Sequence, residues 1–204
     1  FCCSTAAGPA FEGATIRHGM AGVRGAIDTV KLEDGRIRYT TIGDAKPAGI
    51  CGSGIIDALA LLVSAKAVDE TGRMIGKDES GAEDGHRLSA YLTEFEERPA
   101  IRLAEPYDSE TGETIFLTQK DVREVQLAKA SVAAGIMTLL SAAGKRVEDV
   151  DVVYLAGGFG SYIDKESAIT IGLIPAALRD RIEVIGNAAG TGAVEHGLEG
   201  TGQD

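Results

Sequence analysis

Two kinds of hydrophobic spacing alternate along the chain. Val30, Leu32, Ile37 and Tyr39 alternate with polar residues on either side of Asp34-Gly35. That period of two around a turn dipeptide predicts an antiparallel hairpin over 26–32 and 36–42. Ile55, Ile56, Leu59, Leu62 and Val63 then follow a helical stripe behind Gly52-Ser53-Gly54, with Ser53 as the expected N-cap. A longer stripe runs through Val122, Val125, Ala128, Val132, Ile136 and Leu139 or Leu140. Thr118 and Asp121 supply a capping box for it, and Gly144 a stop.

Shorter apolar runs predict strands at 100–104, 115–118 and 182–185, and a buried strand over 151–156. Phe1 to Cys3 read as the tail of another strand, and Lys165 to Ile171 as a short helix. A last helix opens after Gly186-Asn187 and frays from Glu199. Between residues 69 and 98 acidic residues and glycines interleave, which predicts a long mobile insertion. A hairpin followed by alternating helices and strands fits one α/β domain of the ribonuclease-H-like class over 1–204. Such a domain opens with a strand carrying a glycine-rich phosphate loop. That strand is expected upstream of Phe1, so the chain reads as part of a longer protein.

Composition narrows the functions. The formal net charge of −11 disfavours general nucleic-acid binding. A nucleotide is compatible with it, because backbone N–H groups and a metal ion can hold phosphates locally. Cys2, Cys3 and Cys51 are odd in number and form no C-x-x-C pair, which fits a reducing, cytoplasmic compartment and neither a disulfide framework nor a zinc site. No signal peptide and no membrane span stand out in the apolar runs.

The sharpest chemical feature is Leu155-Ala156-Gly157-Gly158-Phe159-Gly160, where a strand breaks at paired glycines. Ligands of α/β folds lie beyond the carboxyl ends of strands, and bare main chain lets a flat ligand approach. An ordinary strand-to-helix turn has the same pattern. Gln126 and Lys129 share a helix face and could reach a ribose or a phosphate; a solvated polar face is the alternative. Ser4 and Thr5, and Gly52, Ser53 and Gly54, stand in small-residue turns that could offer N–H groups to an anion or simply pack tightly. His18 lacks an identifiable acid–base partner, and Cys51 reads as a small core residue. No nucleophile arrangement, metal-ligand spacing or Walker lysine loop is present, so no catalytic residue is assigned.

Several of these stretches share one resemblance. Cys3 to Ala14 (CSTAAGPAFEGA), Gly49 to Gly54 (GICGSG), Val122 to Lys129 (VREVQLAK), Leu155 to Gly160 (LAGGFG) and Gly186 to Gly192 (GNAAGTG) occur in the order found in reductive activators of corrinoid proteins. That family is part of the acetate and sugar kinase, heat-shock chaperone and actin superfamily. The resemblance implies that the domain is an actin-like ATPase second lobe with an added hairpin, carrying an adenosine motif at Gly157, Gly158 and Phe159, with Gln126 and Lys129 lining the adenosine side. It implies ATP with Mg as ligand, and a [2Fe-2S] cluster in a separate N-terminal domain. It further implies the corrinoid protein of a methyltransferase system as partner, and a possible homodimer. Phosphate motifs and cluster cysteines are not in this sequence, so the chain alone is expected to be inactive. A small-molecule kinase of the same superfamily and a non-enzymatic scaffold are the alternatives.

Overall fold

A computed structural model describes residues 1–76, 88–160 and 162–192. Its first layer is the predicted hairpin. β1 (Ala26–Glu33) pairs antiparallel with β2 (Arg36–Thr41) and parallel with β3 (Gly49–Ile50), in the order β2-β1-β3. Asp34 and Gly35 both take positive φ, 49° and 73°, as the tight turn requires. A register shift between Ile27 and Thr29 makes a bulge at Asp28. Thr40 Oγ1 donates to Asp28 Oδ1 (2.6 Å) across it.

α1 (Gly52–Ser64) packs against β1 and a later helix, α4 (Lys165–Thr170), and is buried almost all round. The sequence explains this, because small or apolar residues occupy nearly every position of the helix. The N-cap is Cys51 rather than Ser53, which lies one residue inside the helix. Ser53 Oγ instead donates to the Asp28 carbonyl (2.8 Å), whose β1 position no local pattern could reveal.

A second sheet has the order β4-β5-β6, from β4 (Leu92–Phe95), β5 (Arg98–Ala104) and β6 (Ile115–Thr118). Here the expected mobile insertion is corrected. Met74, Leu88 and Leu92 are almost fully buried, Val68 bridges Met74, and β4 lies inside the segment. Only a few apolar anchors hold this stretch, and the surrounding glycines and acids masked them. Residues 77–87 of the insertion lie outside the described part. Phe1 to Cys3 form no strand. The loop behind them lies along α2 (Gln119–Ala142), where Ser131 Oγ donates to the Ala6 carbonyl (3.1 Å).

The capping box of α2 is present, and it does more than end a helix. Asp121, 1% exposed, accepts from Thr118 N–H (2.8 Å) and Oγ1 (2.7 Å) through one oxygen, and from Arg17 N–H (2.8 Å) through the other. It thereby ties the loop before β1 to β6. α2 spans about 36 Å at 1.5 Å per residue. Of the expected stripe only Val122, Val125 and Ala128 are buried; Leu127 and Met137 are exposed. Contrary to the expectation from the apolar runs, α2 is long and apolar enough to cross a membrane, with a mean hydropathy of 1.4 over 18 residues. Its first turns pack instead on β5 and β6.

β7 (Val153–Ala156) and β8 (Ile182–Gly186) form a parallel pair. The expected fully buried strand is not observed. Tyr154 and Val184 are 56% and 50% exposed, because the pair is two strands wide among the described residues and lacks cover on one side. α3 (Gly157–Gly160) and α4 (Lys165–Thr170) connect them, followed by a 3-10 turn over Ala176–Arg181. Arg181 reaches back to the carbonyls of Val147, Glu148 and Val150 and fixes that turn. The start of the last helix is seen at 188–192, with Asn187 Oδ1 accepting from Gly190 N–H (3.1 Å). The predicted frayed end lies outside the described residues.

Substitutions should rank these contacts. Asp121→Ala leaves the two buried Thr118 donors and the part-buried Arg17 N–H unpaired and is expected to cost about 3 kcal/mol. Thr118→Ala, which removes the cap alone, should cost about 1 kcal/mol. Denaturant unfolding reads both, and equal losses would contradict the linking role of Asp121.

Candidate functional site

The glycine bend stands where the sequence places it. Gly157 follows the last residue of β7 at φ 91°, a conformation that only glycine adopts without strain. Among the described residues, a Cβ built on Gly157 would meet no atom within 4 Å. Gly160 is tighter, since its Cβ would come 3.3 Å from the Leu155 carbonyl carbon. Gly158 and Phe159 continue the turn as α3; the Phe159 ring lies outside the described part of the structure.

A cavity of about 680 Å³ lies between the start of α1 and the chain just after α3. Cys51, Gly52 and Ser53 form one wall and Tyr162 another. Phe11, Met20 and Ile42 supply apolar surface, and Glu12 and Asp28 bring two carboxylates. The bulge puts Asp28 there, a usual effect of an extra residue in a strand. Cys51 Sγ donates to the Ile27 carbonyl (3.4 Å) and lies 3.5 Å from Ser53 Oγ. Gly54 does not face this space. Its Cβ would collide with the Ile27 carbonyl oxygen, so it is a packing glycine that lets α1 lie against β1.

Gln126 and Lys129 share a face of α2, and neither lines this cavity. Gln126 Nε2 donates to the Thr71 carbonyl (3.3 Å) and its Oε1 accepts from Arg123 (3.1 Å). Gly72 has no room for a side chain beside it. Lys129 Nζ donates to the carbonyl of Ile171, the C-cap of α4, where a cation also meets the negative helix end. Both side chains therefore tie α2 to neighbouring main chain. Thr5 packs beside Gly135 of α2, and neither Ser4 nor Thr5 lines the cavity.

The sequence therefore places Gly52 and Ser53 at the cavity and misses Phe11, Met20, Asp28, Ile42 and Tyr162. Phe11 and Glu12 could have been found within the Cys3–Ala14 stretch; the others converge only through the fold. His18 is half-buried, with its ring 6.0 Å from Phe116 and its carbonyl accepting from Ile50 N–H (2.8 Å). Its Nε2 is buried with no hydrogen-bond partner among the described residues.

The profile of the C-terminal ASKHA domain of the reductive activators (RACo) matches residues 1–201. The chain belongs to this family. It is 40% identical to the corrinoid activation enzyme RamQ of Eubacterium limosum over 191 residues, 93% of this chain and 32% of that protein. It is 28% identical to a [Co(II) methylated amine-specific corrinoid protein] reductase of Methanosarcina barkeri, over 91% of this chain and 33% of the relative. The solved structure of a reductive activator for a corrinoid, iron–sulfur protein superposes with a TM-score of 0.80 at 35% identity, covering 95% of this chain and 30% of that one. The RACo-family chain described here thus spans about a third of these relatives, and its class is the expected α/β, ribonuclease-H-like one.

His18 carries the pH prediction of this RACo-family domain. Burial, then the neighbouring Arg17, hold its pKa below the usual 6.5, against weaker pulls from Asp121 and Glu113. The folded state then binds fewer protons than the unfolded one, so stability should fall as pH drops from about 6.5 towards the lowered value. Thermal unfolding between pH 7.5 and 5 should show that slope, and His18→Phe should flatten it.

Proposed function

We propose that this chain is the nucleotide-binding lobe of an ATP-dependent reductive activator of a corrinoid protein. The observation that carries the reading is the positive-φ Gly157 bend at the carboxyl end of β7. Family membership supports it, as does the cavity at the start of α1, which Tyr162 lines but the Gly157 bend itself does not. At about 680 Å³ the cavity falls in the usual range of small-molecule sites, and its apolar walls suit a base better than phosphates. Glu12 and Asp28 would repel phosphates directly, so the nucleotide is taken as its magnesium complex. When bound, ATP supplies the free energy of hydrolysis that lifts an electron to the low potential of cobalt(II).

The chain's own part is conformational. Gly157, Gly158 and the Phe159 main chain present backbone to the base, with Gly52 and Ser53 across the cavity. For Gln126 and Lys129 to reach a sugar or phosphate, they must release the Thr71 and Ile171 carbonyls. Nucleotide binding then loosens the hold of α2 on α4 and favours a second arrangement. The shift can be no larger than the ligand's differential affinity for the two states. The [2Fe-2S] electron donor is placed in the other two-thirds of the full-length protein. The partner is the corrinoid protein of a methyltransferase system, and the setting is a reducing cytoplasm in which Cys2, Cys3 and Cys51 stay free. Homodimer formation is part of the same proposal.

Calorimetric titration of the full-length protein with MgATP tests it. Gly157→Val places a branched side chain in the bend at an unfavourable φ and should weaken binding at least about tenfold, or 1.4 kcal/mol. Lys129→Met should weaken it less. Unchanged affinity in a folded Gly157→Val variant would refute the placement of the nucleotide.

A further inference from the structure

We propose that His18 is a pH-sensitive latch on the large cavity: the neutral ring keeps the start of α1 seated, and protonation releases it. The main chain beside the ring forms the catch. The His18 carbonyl accepts from Ile50 N–H (2.8 Å), and Met20 N–H donates to the Ile50 carbonyl (3.0 Å), so Gly19 bridges Ile50 in parallel. Cys51, Gly52 and Ser53 follow at once, and they line the cavity together with Met20. The catch has no slack. A Cβ on Gly49 would stand 2.6 Å from the His18 carbonyl oxygen and 2.9 Å from Met20 Sδ, and one on Gly19 would collide with the Gly13 carbonyl oxygen. Packing this close does not deform by small steps, so residues 18–20 are either seated or displaced.

The charge on the ring decides between the two. A neutral imidazole has one donor and one acceptor, whereas the imidazolium donates from both nitrogens. His18 Nε2 is buried without a hydrogen-bond partner among the described residues, and the Phe116 ring lies 6.0 Å away. A proton there finds no acceptor, and an unpaired buried charge is costly. Three charged groups face the ring: Arg17 beside it, Asp121 of α2 and Glu113 before β6. Arg17 repels an imidazolium. Asp121 attracts one, but its oxygens already accept from Thr118 and the Arg17 N–H, and Glu113 pulls more weakly still. Burial and Arg17 therefore prevail, and the charged ring is better placed in water. Drawing it out strains its own carbonyl, frees the Ile50 amide and unseats Met20 and the wall at 51–53. The latch acts on the cavity wall itself, whatever ligand the cavity takes.

Hydrogen–deuterium exchange of the full-length protein between pH 7.5 and 5.5, corrected for the intrinsic rate and read by peptide mass spectrometry, tests the latch. Exchange in peptides carrying Ile50 should rise several-fold as pH falls, towards the limit of about tenfold that one released imidazole of ordinary pKa supplies one pH unit below it. Peptides of the β1–β2 hairpin should not share the rise. His18→Phe, which cannot take up a proton, should abolish it, and His18→Gln should do the same if the first variant fails to fold. Protection at Ile50 that is independent of pH, a rise shared equally by the hairpin, or one that persists in the folded variants would overturn the proposal. No nucleotide is added, so the result is separate from that of the MgATP titration.

Discussion

Everything in this domain hangs on how closely α1 lies against β1. Gly54 lets the helix backbone approach until the Ile27 carbonyl would touch any side chain in its place. The same carbonyl accepts the Cys51 N–H (3.0 Å) and its thiol, so the helix starts on the strand rather than beside it. Ser53 then holds the Asp28 carbonyl and Asp57 the Val30 N–H. Four residues within about two turns grip three residues of the strand, Ile27, Asp28 and Val30. The contact brings Cys51, Gly52 and Ser53 together with Asp28 in the wall of the large cavity.

How much of this could be read in the sequence depends on the range of the signal. The hairpin, the α2 capping box and the Gly144 stop are local, and each stands where its residues predict. Ser53 stands two positions past the observed N-cap, Cys51, because its partner, the Asp28 carbonyl, is 25 positions away. The 69–98 insertion hid its structure for a related reason. Met74 and Leu92 are buried by other elements, and no periodicity of their own announces this. At the site, the Gly157 bend was legible because a backbone requirement is written in one residue. The cavity was not, since Phe11, Asp28, Ile42 and Tyr162 meet only in three dimensions.

Gln126 and Lys129 show how one pattern can carry two roles. Their shared face is real, and in this state it clamps main-chain carbonyls of residues 71 and 171. In the proposed function, trading those carbonyls for ligand oxygens would give the domain a second arrangement. A switch of this kind needs such a pair of alternatives. The half-exposed β7–β8 pair carries the Gly157 bend at its carboxyl end, so a change there would reach the least covered part of the domain.

In the proposed function an adenine nucleotide rests against the Gly157 bend and reaches the cavity lined by Tyr162. Photolabelling of the full-length protein with 8-azido-ATP, followed by peptide mapping, tests that placement most directly. The account predicts labelling in peptides carrying Gly157 to Tyr162 or Ile42 to Ser53, suppressed by excess ATP. Labelling confined to other peptides, with equal protection by ATP, would contradict it.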